Sequence, residues 1–293
     1  MSPAVELFLQ QVANGVVIGS TYTVVALGFS LIFSVMGVVN MAHPEIFMIS
    51  MFVGLWIAAH ISSNVLVVVL GVVLVSGVMG MVLERVVLRP LRSPNLLVPL
   101  IGTIGVAILL QYTTAGIFGP DPVPFPRLIA QKRIVIGGVG VTTLQLTNLV
   151  VSLLIMAGVS YYVRRTRWGR ATRAVAERYE VAAAFGVDVN RVAQVTVVLA
   201  SMMAGVAGVS IALLYGSAWA FVAGLYALKS FVCMLVAGNK HIEGVMAVGL
   251  TLGVIEALMT GFVSSSLRDA VAFVILIAVL YFRPLGLFGS YRA

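Results

Sequence analysis

The sequence predicts an all-α, polytopic transmembrane helical bundle of eight or nine spans, and three observations carry that prediction. Of the 293 residues, 61% are hydrophobic and only 10% are charged, a balance that no soluble domain of this length covers with polar surface. Apolar stretches of about 20 residues, the length that crosses hydrocarbon at 1.5 Å per residue, recur along the whole chain. The net charge of +8 is carried by short segments between those stretches, where Lys and Arg set membrane orientation.

The apolar stretches fall near 12–36, 44–62, 65–83, 96–118, 142–163, 192–214, 220–237, 244–263 and 268–282, the last being the shortest. No positive residue precedes Arg85, so the positively charged region of a cleavable signal is missing and the first span is expected to stay in the protein. The arginine-bearing segments 84–92, 164–191 and 283–292 each follow an odd-numbered span. One assignment therefore puts all three in the cytoplasm, with the N-terminus outside and the C-terminus inside.

The loop 119–141 then lies outside, and its Arg127, Lys132 and Arg133 oppose the rule but are outnumbered. Pro120, Pro122, Pro124 and Pro126, followed by Arg133–Ile136 and by Gly137, Gly138 and Gly140, predict a turn-rich lid with a short hairpin. With the fifth span as a connector, spans one to four and six to nine form two halves of opposite orientation within a single domain, 1–293, as in inverted-repeat transport folds. Gly15 with Gly19, Gly249 with Gly253, and Ser201 with Gly205 each place two small residues on one helix face, which allows close helix packing.

The densest charge is the island Arg164, Arg165, Arg167, Arg170, Arg173, Arg178 and Arg191. Charge this dense must lie in water, so it is the candidate contact with a cytoplasmic partner. Residues 170–185 are expected to form one short helix closed by Gly186 in the left-handed conformation, with Val175, Ala182 and Phe185 on a shared face. The alternative is a connector lying on the surface, anchored by arginine to membrane lipid headgroups.

Inside the spans, Glu45, Lys229 and Glu256 are ionisable, and such groups need a partner or water. Lys229 and Glu256 could neutralise one another across neighbouring spans or snorkel toward an interface. Asn40, His43 and Glu45 could form a polar notch at a break between helices. A cap is the competing account, because Glu45 follows Pro44 in a first helical turn, where an acid offsets the helix dipole. The lone Cys233 excludes an internal disulfide and is expected in the core. No phosphate loop surrounds Lys132, Lys229 or Lys240, and His43 and Glu45 lack the spacing of a zinc protease. No catalytic residue, cofactor, metal site or nucleic-acid partner is expected.

Gly169, Arg170, Arg173, Ala174 and Glu177, continuing through Ala182 to Gly186 and Asp188, resemble the cytoplasmic loop of ABC-importer permeases of the branched-chain amino-acid class. Asn14, Gly15, Gly19, Tyr22 and Gly28, then Asn40, His43 and Glu45, are similar to the N-terminal signature of that family, and Glu84, Arg85, Arg89, Pro90 and Arg92 match a third motif. The likeness runs from residue 8 to Gly286 and is greatest for the smaller of the two permeases of such importers.

The resemblance implies a subunit without ATPase activity that docks this loop helix into an ATP-binding subunit. It also implies a second homologous permease, two ATP-binding subunits and an external solute-binding protein as partners. Pro44, Asn239, Lys240 and Glu243 depart from the family, which usually has glycine at Pro44 and a glycine-rich turn across 237–245, so amino acids are the leading substrate class without being fixed by the pattern. The rivals are a self-sufficient secondary transporter or channel that couples ions through Glu45 and Glu256, and a non-transporting scaffold.

Overall fold

The computed structural model describes residues 2–92, 95, 97–238 and 241–289. Asn239, Lys240 and the last residues of the 283–292 segment lie outside that set. The helices are α1 (Pro3–Met36), α2 (His43–His60), α3 (Val65–Val82, continued by π-helical turns over Leu83–Leu88), α4 (Leu97–Phe118) and α5 (Thr143–Arg165). After them come α6 (Arg167–Glu177), α7 (Tyr179–Ala184), α8 (Val189–Tyr215), α9 (Val222–Ala237), α10 (Ile242–Phe262) and α11 (Arg268–Phe282).

Local chemistry sets several boundaries. Asn64 accepts from the Leu66 N–H at 2.9 Å to start α3, and Thr142 and Gln145 form a capping box on α5. The side chain of Asp188 accepts from the Arg191 N–H at 3.1 Å to start α8. Gly37 and Gly216 end α1 and α8 at φ 67°, a conformation that costs other residues more. α1 begins nine residues earlier than the apolar stretch, because Pro3 suits a first turn and the polar Glu6, Gln10 and Gln11 extend the helix past its apolar part.

Among the described residues, seven helices are long and apolar enough to cross a membrane: α1, α3 with its π-helical end, α4, α5, α8, α10, and α11 with the turn before it. The second and seventh expected spans, α2 and α9, are not among them: α2, at 18 residues, carries His43, Glu45 and His60 at its ends, and α9 is shorter. α9 has 16 residues, about 24 Å at 1.5 Å per residue, less than the roughly 30 Å of a hydrocarbon core. Both lie in the main core with α1, α8 and α10, while α3, α4, α5 and α11 turn apolar side chains such as Leu70, Ile101, Leu154 and Ile277 outward.

The small-residue motifs meet one another. A Cβ on Gly15 would lie 2.5 Å from the Val254 Cα, and one on Gly19 would lie 2.7 Å from the Gly249 carbonyl oxygen. α1 and α10 therefore pack antiparallel, backbone against backbone. The third motif docks α8 on α3: a Cβ on Gly80 would lie 2.6 Å from the Ser201 Cβ, and one on Gly205 would lie 2.8 Å from the Ser76 Cβ. The first helix of each half thus packs on the third of the other. α2 and α9 hold the second place in each half.

The three arginine-bearing segments gather at one end. Arg92 donates to Asn190 at 2.7 Å, Arg164 pairs with Glu243 at the start of α10, and a Cβ on Gly244 would touch the Phe288 ring at 2.6 Å. Buried Glu84 holds Arg89 at 3.0 Å and Arg92 at 3.3 Å. At the other end lies the lid. Its β2 (Arg133–Ile136) and β3 (Val139–Thr142) form the expected hairpin, and β1 (Val123–Pro124) pairs with β4 (Ser217–Ala218). The Gln10 side chain donates to the Gly140 carbonyl at 3.0 Å and accepts its N–H at 2.8 Å, tying the hairpin to α1.

Candidate functional site

The arginine-rich loop is two helices, not the single one expected over 170–185. Arg178 is extended, at φ −148° and ψ 102°, between α6 and α7, so the chain bends there and lays α7 back on the bundle. Thr166 starts α6 by accepting from the Gly169 N–H at 2.9 Å. Gly169 itself is needed at the α5–α6 corner, where a Cβ would come within 2.7 Å of the Val163 carbonyl oxygen. Arg170, Arg173, Ala174 and Glu177, at spacings of three and four, line the exposed side of α6, opposite buried Gly169, Thr172 and Val175.

Ala182 is buried against Val35, Val175, Val192 and Ala193, so it is not on the outer surface where a docking contact was expected. Phe185 does not share that face either. It is 85% exposed, just before Gly186, whose φ of 81° and N–H bond to the Ala183 carbonyl at 2.9 Å end α7 as expected. Pattern reading missed this because the kink at Arg178 rotates residues after it relative to those before. The exposed knob is therefore Phe185 with Tyr179 and Val181, beside the α6 stripe.

The second constellation is the break between α1 and α2. Asn40, His43 and Glu45 are all buried. The side chain of Asn40 accepts from the Ala42 N–H at 3.1 Å, and the Thr103 hydroxyl on α4 accepts from the Met41 N–H at 3.2 Å. The His43 ring fits over Gly28, where a Cβ would approach its Cε1 to 2.6 Å, and it meets Phe29 edge-on at 5.4 Å. Glu45 makes no ion pair among the described residues, and its Oε2 lacks a hydrogen-bond partner. Glu45 stands in the first turn of α2 beside Pro44, where an acid offsets the helix dipole, and it is buried with Asn40 and His43 at the break, so the geometry accommodates both the cap and the polar notch.

The third constellation was only half legible in the sequence. Lys229 Nζ lies 2.9 Å from Glu256 Oε2, so these two residues do pair across α9 and α10. Arg268 donates to the same oxygen at 3.2 Å, and Lys229 also pairs with Asp269 at 2.8 Å. The Tyr22 hydroxyl donates to Glu256 at 3.0 Å and accepts from Lys229 and Arg268, each at 3.1 Å. Tyr22, Arg268 and Asp269 were missed. The available signal was the adjacent opposite charges Arg268 and Asp269 at the start of a span, though Asp269 in a first helical turn also suits the helix dipole. Cys233 is fully buried, as expected.

The comparisons with known proteins bear on the whole chain. Residues 11–280 match the family described as "Branched-chain amino acid transport system / permease component". The chain is 35% identical to the high-affinity branched-chain amino acid transport system permease protein LivH of Salmonella typhimurium, an alignment that covers 99% of this chain and 98% of that one. It is 32% identical to BraD of Pseudomonas aeruginosa, another such permease protein, over 98% and 97% of the two chains. Among solved structures, PsaBC from Streptococcus pneumoniae in complex with Fab shares the fold, with a TM-score of 0.51 at 14% identity over 94% of this chain and 92% of that one. With its apolar helices, the chain is a multi-pass membrane protein, and it belongs to the family of branched-chain amino acid transport permeases.

Proposed function

We propose that this chain is the transmembrane subunit of an ATP-driven importer that carries branched-chain or other amino acids into the cytoplasm. It works beside a second, homologous permease, two ATP-binding subunits and an external solute-binding protein, with its N-terminus outside and its C-terminus in the cytoplasm. The observation that carries this reading is the exposed apolar knob around Phe185, flanked by arginine, at the end of the molecule where all three arginine-bearing segments gather. Large exposed aromatics rimmed by charge mark interaction surfaces.

Closure of the ATP-binding subunits would press on this knob. Because α7 is packed on Val35 of α1 and on Val192 and Ala193 of α8, a displacement there moves the first helix of each half, which switches access between the two sides. The test is reconstitution in liposomes. Leucine uptake is expected only when the second permease, the ATP-binding subunits, the binding protein and ATP are all present. Gradient-driven uptake by this chain alone would replace the reading with that of a secondary transporter.

The break at Asn40, His43 and Glu45 serves in this scheme as part of the transport path or as the brace of its moving helix. Glu45→Gln is then expected to lower the initial uptake rate per assembled complex at least tenfold at matched ATP, because it removes the charge and keeps the shape. A carboxylate acting only on the helix dipole is worth about 0.3 to 1 kcal/mol, and its loss would leave uptake nearly normal.

A further inference from the structure

Four charged side chains and a phenol meet where α1, α9, α10 and the start of α11 converge, and most of them open onto a cavity of about 560 Å³ on the lid side of the bundle. Tyr22, Lys229, Arg268 and Asp269 supply its polar wall, and Met51, Ile211 and Leu225 supply part of its apolar wall. The charges sum to zero: Lys229 and Arg268 against Glu256 and Asp269. Two of them, Lys229 and Glu256, are buried and pair with each other, with side chains 8% and 1% exposed. Arg268 and Asp269 are more open, at 33% and 60%. A staple between α9 and α10 does not require them.

We infer that this cavity is a transit site for the zwitterion of an α-amino acid. The incoming carboxylate takes N–H donors from Arg268 and Lys229, the ammonium group is received by Asp269, and an alkyl side chain lies against Met51, Ile211 and Leu225. The inference rests on the amino-acid importer reading and gives that reading a place in the molecule. A zwitterion exchanges ion pairs inside the cluster for ion pairs with itself, so the charge sum stays at zero throughout. An amine or a carboxylic acid alone would leave one uncompensated charge in a region of low dielectric, where it is expensive.

Two further observations point to a ligand here. Glu256 is 1% exposed, and its Oε1 is buried with no hydrogen-bond partner, although its Oε2 accepts from three groups. A buried acceptor without a donor is thus left in the cluster, behind the residues that line the cavity. The cavity also joins the second helices of the two halves, through Met51 of α2, which begins at the break beside Pro44, and Lys229 of the 16-residue α9. Transport folds built from such halves place their substrate between helices of this kind.

The test uses the assembled importer with Leu225→Cys, which puts a thiol on the cavity wall while native Cys233 stays buried. Alkylation of the new thiol is followed by mass spectrometry without ATP or binding protein. Saturating leucine is expected to slow it at least fivefold, and 3-methylbutylamine and 4-methylpentanoate, which each carry half of the zwitterion, less than twofold. Asp269→Asn and Arg268→Gln, compared as assembled complexes, are each expected to raise the leucine concentration for half-protection at least tenfold. Protection by neither leucine nor any other zwitterionic amino acid overturns the site, as does equal protection by the amine or the acid, or unchanged half-protection in both variants. Leucine uptake by the wild-type complex in ATP-loaded liposomes is scored separately: its absence counts against the importer reading, while the alkylation result decides the site.

Discussion

Phe185→Asp is expected to cut recovery of the ATP-binding subunits with the permease at least tenfold, while the permease itself inserts and melts like the wild type. Phe185 is 85% exposed at the end of α7, so its own chain loses little packing when it changes. At the centre of an interface, a large aromatic that fills a partner's pocket is worth about 2 kcal/mol or more, and a carboxylate placed there adds a desolvation cost. Ala182→Asp is expected to behave in the opposite way. Ala182 sits inside the cluster of Val35, Val175, Val192 and Ala193, where an unpartnered carboxylate costs roughly 1 to 3 kcal/mol or more, so the permease melts earlier even without partners. Co-purification and thermal melting of both variants separate the two effects. Undiminished recovery with Phe185→Asp would remove the knob from the docking surface.

Gly253→Val is expected to be the most damaging single substitution in the membrane domain, because it forces apart the two helices that pass each other backbone to backbone. A Cβ at Gly253 runs into Gly15 and Gly19 of α1, and the atoms it meets are backbone atoms that cannot rotate away. Overpacking a tight contact costs about 1 to 3 kcal/mol, and more where nothing can yield. The thermal midpoint of the purified protein, and the fraction recovered folded from membranes, should both fall well below the wild type. Gly224→Ala is the control, since a Cβ at Gly224 meets nothing within 4 Å. Equal midpoints for the two variants would show that the α1–α10 contact tolerates a side chain.

The sequence by itself determined the membrane character, the order of the apolar helices, the hairpin in the lid, the glycine that ends α7 and the small residues that let helices approach. These are properties of composition, periodicity and single residues, and they act over one helix or one turn. The family was legible for the same reason, since its motifs are short and contiguous. Tertiary structure decided the rest. Arg178 breaks the loop helix because α7 gains more by burying Ala182 on α1 and α8 than a straight continuation of α6 would offer, so Phe185 turns outward while Ala182 turns inward. Asn40, His43 and Glu45 are buried because other helices close over the break, Gly28 against the His43 ring and Thr103 against the Met41 N–H. Lys229 and Glu256 needed Tyr22, Arg268 and Asp269 beside them, residues far apart in the chain that only the convergence of α1, α9, α10 and α11 brings to one point. A charge in a span announces that a partner must exist, but the identity of the partner depends on which helices touch, and that is settled by packing across the whole bundle.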